Sequence, residues 1–139
     1  MIQASHSVAE TESIAAELAG TFVGGECVAI DGPLGAGKTQ FVRGLAVALG
    51  ANPRAVSSPT FVLLNVYSGG RLTLFHLDAY RVSGAEDFES IGFTELLEQN
   101  GVVVVEWASR VEKILPVKRI NVRIEVTGKS NRKLTIERG

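Results

Sequence analysis

Gly32-Pro-Leu-Gly-Ala-Gly-Lys38-Thr39 places glycines, a lysine and a hydroxyl at the spacing of a loop that wraps phosphate oxygens in its own backbone N–H groups. Main chain must approach the anion more closely than a Cβ would allow, which is what Gly32, Gly35 and Gly37 offer. Lys38 adds a mobile point charge for the β- and γ-phosphates, and the Thr39 hydroxyl has the chemistry to bind a Mg²⁺ that bridges them. Such a loop also needs a carboxylate to hold or orient the metal, normally at the end of a neighbouring apolar strand. Asp78, after Leu72-Thr-Leu-Phe-His-Leu77, and Glu106, after a run of valines, both meet that description. Asp31, directly before the loop, reads as a bracing residue. Ser57-Ser-Pro-Thr60 is a hydroxyl-rich segment of the kind that senses a γ-phosphate in nucleotide switches, with Thr60 as the sensing group.

The flanks fit this chemistry. Cys27-Val-Ala-Ile-Asp31 reads as a buried strand, and Phe41, Val42, Leu45, Ala46 and Leu49 recur at helical spacing up to Gly50. Strand, glycine loop and helix would set the anion at a helix N-terminus, where the dipole favours it. Upstream, Ser7-Val-Ala-Glu10 predicts a capping box opening a helix with Val8, Ile14, Ala15 and Leu18 on its apolar face. Downstream, Phe61 to Tyr67 and Leu72 to Leu77 predict a hairpin across Ser68-Gly69-Gly70, and Gly84 to Asn100 a helical region broken near Gly92. Val102 to Val105 predicts an interior parallel strand and Ser109 to Leu115 a short helix ended by Pro116. Alternation from Ile120 to Val126 and again at Leu134 and Ile136 predicts an antiparallel C-terminal hairpin. The expected fold is α/β: a phosphate-loop mixed sheet flanked by helices, with one domain over residues 1–139.

Composition narrows the function classes. With 14 basic and 15 acidic residues, nothing draws the chain generally to nucleic acid or to a membrane. A single cysteine excludes an internal disulfide framework and, in a predicted strand, reads as a small buried hydrophobe. No stretch approaches the length of an apolar membrane span, so the expectation is a soluble cytoplasmic protein. His6 and His76 have no metal-ligand spacing.

Taken in order, Gly-x-Leu-Gly-Ala-Gly-Lys-Thr, Ser-Pro-Thr-Phe, His76-Leu-Asp78-Ala-Tyr80-Arg81 and Glu106-Trp107 closely resemble the TsaE (YjeE) family, small bacterial ATPases required for threonylcarbamoyladenosine modification of tRNA. Ala108-Ser109 departs from the family pattern, in which Pro or Ala and then an acidic residue are expected. The resemblance implies ATP and Mg²⁺ as ligands. Gly35, Ala36, Gly37, Lys38, Thr39 and Gln40 would hold the nucleotide, and Thr11 would approach it from the first helix. It implies that Thr39 and Glu106 bind the metal, that Lys38, Thr60, Asp78 and Glu106 are catalytic, and that Tyr80, Arg81 and Trp107 lie on a partner surface. The implied partners are the TsaD and TsaB proteins, with tRNA met indirectly.

Two other uses of a phosphate loop fit less well. A small-molecule kinase needs a lid bearing arginines, whereas the region from Gly84 to Asn100 is acidic and has no Arg. A GTPase needs Asn-Lys-x-Asp to read guanine, and the chain has none.

Overall fold

The computed structural model describes residues 1–51, 64–80, 82 and 85–139. Ser57 to Thr60, the beginning of the first hairpin strand at Phe61, and Arg81 lie outside them. The described residues form one seven-stranded sheet. Its strands in chain order are β1 (Ile2–Ser5), β2 (Cys27–Asp31), β3 (Leu64–Tyr67), β4 (Leu74–Asp78), β5 (Val102–Glu106), β6 (Ile120–Val126) and β7 (Arg132–Arg138), arranged in space as β1-β7-β6-β2-β5-β4-β3. The four middle strands, β6, β2, β5 and β4, run parallel, and antiparallel pairs close both ends. Helices α1 (Val8–Ala19), α2 (Lys38–Ala48), α3 (Ala85–Ser90) and α4 (Phe93–Glu98), with a 3-10 helix over Ala108–Ile114, complete the set.

Four consecutive valines show why the sheet is covered on both sides. A strand turns alternate side chains to opposite faces. Val102 and Val104 join a core with Ile14, Phe41 and Leu45 of α1 and α2, while Val103 and Val105 join a second core with Phe88, Phe93 and Val111 on the other face. All four are at most 2 % exposed, so an uninterrupted apolar run is what this position demands. In β6 the alternation is strict instead: Ile120, Val122 and Ile124 are buried, whereas Asn121 and Arg123 face solvent. β1 has no counterpart in the expectations above. It is a four-residue edge strand with Ile2 exposed, too short for a periodic signal.

Helix α1 opens as its sequence predicts, with Ser7 Oγ accepting the Glu10 N–H at 3.1 Å. The reciprocal half of the box is shifted by one residue, since the Glu10 carboxylate accepts the N–H of His6 at 2.5 Å rather than that of Ser7. Val8 does not belong to the buried face; it is exposed, while Ile14, Ala15 and Leu18 are buried. Cys27 is 3 % exposed at the start of β2, and burial pushes its thiol up to about 12. Among the described residues no helix is long and apolar enough to cross a membrane.

α1 and α2 pack closely because Gly44 has no side chain. A Cβ there would lie 2.5 Å from the Glu12 carbonyl oxygen and 2.8 Å from the Glu12 Cα, both backbone atoms that cannot swing aside. Helix propensity alone would make Gly44→Ala stabilising by about 1 kcal/mol. The clash decides the sign: Gly44→Ala is expected to destabilise by about 1–3 kcal/mol in urea unfolding, and a gain in stability would show that the two helices part without cost.

Candidate functional site

Residues 32–39 connect the C-terminal end of β2 to the first turn of α2. The glycines divide into two kinds. Gly32 is required by packing, since a Cβ there would sit 2.5 Å from the Ile124 carbonyl oxygen of β6, so its lack of a side chain serves the sheet rather than a ligand. Gly35 and Gly37 have φ of +79° and +107°, and a Cβ would meet nothing within 4 Å at the first and only Gln40 Oε1 at 3.8 Å at the second. Open space on the main chain at these two positions leaves room for an anion. Gly37 is also the N-cap of α2 and gives no side-chain cap, so the helix N-terminus presents its N–H groups without a built-in acceptor side chain.

Lys38 is 5 % exposed, and its ammonium donates to the carbonyls of Gly32 at 2.7 Å and Pro33 at 2.8 Å. The same nitrogen lies 4.1 Å from the centre of the Trp107 ring. Burial lowers the Lys38 pKa, opposed by the charges of Glu106, Asp78 and Asp31. Thr39, next in the first turn, is half-buried.

The carboxylates are placed by strand register. Glu106 pairs with Ile30 on one side and with Asp78 on the other, so the two acids of β5 and β4 are neighbours at the same end of the sheet. They differ in surroundings. Glu106 is 3 % exposed, and its Oε2 shares a hydrogen bond with His76 Nε2 at 2.5 Å. His76 is fully buried, and its Nδ1 has no partner among the described residues. Asp78 is half-buried, with Oδ1 accepting the Tyr80 N–H at 2.9 Å. Burial raises its pKa; the Tyr80 hydrogen bond opposes this and the neighbouring Glu106 adds to it. Asp31 braces as expected, accepting the Ser109 N–H at 3.1 Å and so tying the end of β2 to the turn after β5.

Trp107 follows Glu106 with φ of +57°, the one non-glycine residue at positive φ among those described. Its ring packs on Tyr80 with centroids 4.9 Å apart, and the Arg110 guanidinium lies 5.2 Å from the Tyr80 ring.

On the other side of the loop is a cleft of about 350 Å³. Gly35, Ala36, Gly37 and Gln40 form its floor, Thr11 with His6, Ser7 and Val8 one wall, and Lys129, Ser130 and Arg132 of the β6–β7 turn the other. The exposed Val8 has its place here. Thr11 is 3 % exposed and shares a hydrogen bond with Ser5 Oγ at 2.8 Å. Thus Thr11, Gly35, Ala36, Gly37 and Gln40 meet at one cleft, and Lys38 with Asp78 and Glu106 forms a charged group beside Trp107 and Tyr80. Thr60 and Arg81 lie outside the described residues.

Sequence reasoning missed His76 as the partner of Glu106, Arg110 beside the aromatic pair, and Arg132. The first had a signal, because His76 and Asp78 lie on the same strand two residues apart. Arg132 had none, since it is 96 residues from Ala36, whose carbonyl it binds.

The open main chain at Gly35 and Gly37 and the uncapped N-terminus of α2 offer N–H donors of the kind a phosphate takes. Among the described residues no group of three or more His, Cys, Asp or Glu side chains gathers into a metal cluster. A Mg²⁺ on a phosphate loop needs fewer protein ligands than that, since phosphate oxygens and water complete its shell. Thr39 and Glu106 offer the hard oxygen donors it takes.

Comparison with known proteins points to one family. The family model described as threonylcarbamoyl adenosine biosynthesis protein TsaE matches residues 5–134. A tRNA threonylcarbamoyladenosine biosynthesis protein TsaE of Treponema pallidum is 45 % identical over 122 residues, covering 84 % of this chain and 89 % of that protein. Its namesake in Bacillus subtilis is 39 % identical over 126 residues, covering 91 % and 78 %. The crystal structure of Bacillus subtilis YdiB superposes with a TM-score of 0.81 at 32 % identity, covering 98 % of this chain and 83 % of that one.

Asp78 yields a test of this electrostatic arrangement. Its folded pKa is raised above the ordinary 3.8, so the folded protein holds that proton more tightly than the unfolded chain does. The associated stability is complete at low pH and is lost as pH rises through the folded value. Asp78→Asn, which keeps an oxygen for the Tyr80 N–H, is therefore expected to melt higher than wild type at pH 7. The gain should shrink to nothing as pH falls to about 3.8. Melting curves across that range check it; a variant less stable than wild type at neutral pH would contradict the assignment.

Proposed function

The chain belongs to the TsaE family, and on that premise we propose that it is a Mg²⁺-dependent ATPase that acts on the TsaD–TsaB complex in threonylcarbamoyladenosine modification of tRNA. The observation that carries the reading is the loop at the N-terminus of α2, whose Lys38 lies within the field of the strand-end carboxylates Glu106 and Asp78.

On this reading the N–H groups of the loop and of the first turn of α2 would hold the β- and γ-phosphates, and Thr11 and Gln40, which line the adjoining cleft, would face the nucleotide. Thr39 and Glu106 would hold a Mg²⁺, which would supply charge neutralisation for the phosphates. His76 keeps the Glu106 carboxylate in one orientation through the bond at 2.5 Å. Asp78, half-buried with a raised pKa, orients or deprotonates the attacking water on this reading. The three N–H donors of Lys38 face two carbonyls and the Trp107 ring, so a phosphate oxygen reaching the ammonium replaces one of these partners. Nucleotide binding is then linked to the surface formed by Tyr80 and Trp107, since a ligand shifts an equilibrium only by contacting its two states differently. Thr60 is assigned the γ-phosphate-sensing role.

Two measurements test this. Lys38→Ala is expected to lower ATP hydrolysis at least about a hundredfold, and Glu106→Gln to shift the Mg²⁺ requirement to higher concentration. Wild-type turnover in the first, or an unchanged Mg²⁺ titration in the second, removes the corresponding assignment. The isolated protein is expected to turn over slowly and to be stimulated by the TsaD–TsaB pair, with Trp107→Ala losing stimulation while retaining most ATP binding. Efficient phosphoryl transfer to a metabolite by the protein alone would indicate a small-molecule kinase instead.

A further inference from the structure

Arg132 begins β7, yet its guanidinium is committed to main-chain carbonyls on two separate segments. Nε donates to Ala36 O at 2.9 Å and an Nη2 hydrogen to Gly35 O at 3.1 Å, both in the phosphate loop. Nη1 donates to Gly128 O at 3.2 Å and Asn131 O at 2.9 Å in the β6–β7 turn, which the Thr127 N–H to Asn131 O bond at 3.1 Å also closes. A charged side chain thus bridges the turn and the loop through four carbonyl oxygens.

We infer that Arg132 is a positioning residue of the phosphate loop, holding the Ala36 carbonyl so that the Gly37 N–H stays turned toward a polyphosphate, and the Gly35 carbonyl so that the Ala36 N–H keeps the loop's turn closed on Pro33. The inference rests on the nucleotide-binding reading of residues 32–39. In a planar trans peptide unit the C=O and the N–H point in opposite directions. Fixing Ala36 O on Arg132 therefore turns the Gly37 N–H to the opposite face of the loop. Fixing Gly35 O does the same for the Ala36 N–H, which bonds Pro33 O at 3.1 Å and closes the loop's own turn.

This part of the chain needs an external anchor. Gly35 and Gly37, on either side of Ala36, are both at positive φ, and glycine readily adopts alternative conformations. An unanchored loop would present carbonyl oxygens to an anion in some conformers and would have to be ordered when the ligand binds. Anchoring it beforehand removes that ordering cost from binding. The planar fork of arginine satisfies four acceptors spread over two segments, whereas a lysine keeps the charge but offers three donors from a single atom.

The test compares Arg132→Lys and Arg132→Ala with wild type, using ATP and inorganic pyrophosphate as calorimetric probes and ATP turnover at saturation. Lys133→Ala, an exposed neighbour on the same strand, serves as the control. Both Arg132 variants are expected to lose about tenfold or more in affinity for ATP and for pyrophosphate alike, with kcat changed by less than about threefold. Lys133→Ala should match wild type. Loss of ATP affinity with pyrophosphate affinity intact would overturn the inference, because Arg132 would then touch the nucleoside end of the cleft. Wild-type affinity in both Arg132 variants would overturn it as well. A wild-type protein that binds neither probe would instead refute the nucleotide reading itself, and this inference with it.

Discussion

Charge collects at one end of this sheet because three neighbouring strands run parallel. β2, β5 and β4 each finish in an acid, Asp31, Glu106 and Asp78, and the register sets Glu106 beside Asp78 and opposite Ile30. Reversing any one strand would move its acid to the far edge. With the strands parallel, every segment that leaves this end does so beside the same negative field: the loop after β2, Tyr80 after β4 and Trp107 after β5. The nearby ammonium of Lys38 answers that field from the loop. Burial works against both signs of charge, lowering the pKa of Lys38 and raising that of Asp78, so the end of the sheet holds its ions under desolvation. A further cation arriving there would ease the opposition between Glu106 and Asp78.

The parts of this arrangement that depend on neighbours in sequence were legible in it. The loop has a motif, the valine strand has a composition, and the C-terminal hairpin has a period of two that β6 and β7 reproduce. What escaped depends on atoms brought together by folding. The sequence placed His76 on the strand of Asp78, but that its Nε2 meets Glu106 Oε2 on the neighbouring strand depends on the register of β4 and β5. Val8 shows the opposite failure: it has the right residue type for the buried face of α1 but lies at its first turn, where the helix borders the cleft. Gly32, first glycine of the motif, packs so closely on β6 that a Cβ there would lie 2.5 Å from the Ile124 carbonyl oxygen. Motif glycines look alike on paper, and only the positions of their neighbours separate those that serve the fold from those that leave room on the main chain.

The two clusters around the loop face different tasks. On one side Gly35, Ala36 and Gln40 border a cleft with polar walls from α1 and the β6–β7 turn. On the other, Lys38, Trp107, Tyr80 and Arg110 form a layered group of cations and rings. Lys38 is the residue common to loop and layer, touching Gly32 O, Pro33 O and the Trp107 ring at once. Trp107 itself, at positive φ directly after a buried carboxylate, is held in a conformation that its own backbone does not favour.

Cys27 is the sole cysteine of the chain, and it stands at the start of the strand that delivers the loop. Its thiol is covered by the second core and, with a pKa pushed up to about 12, offers almost no thiolate at neutral pH. An alkylating reagent reaches it only when the middle of the sheet opens, so the rate of its modification is a clock for that opening, built into the native sequence. The same protection leaves the folded surface chemically silent toward thiol reagents, and a cysteine introduced anywhere on that surface would be labelled alone.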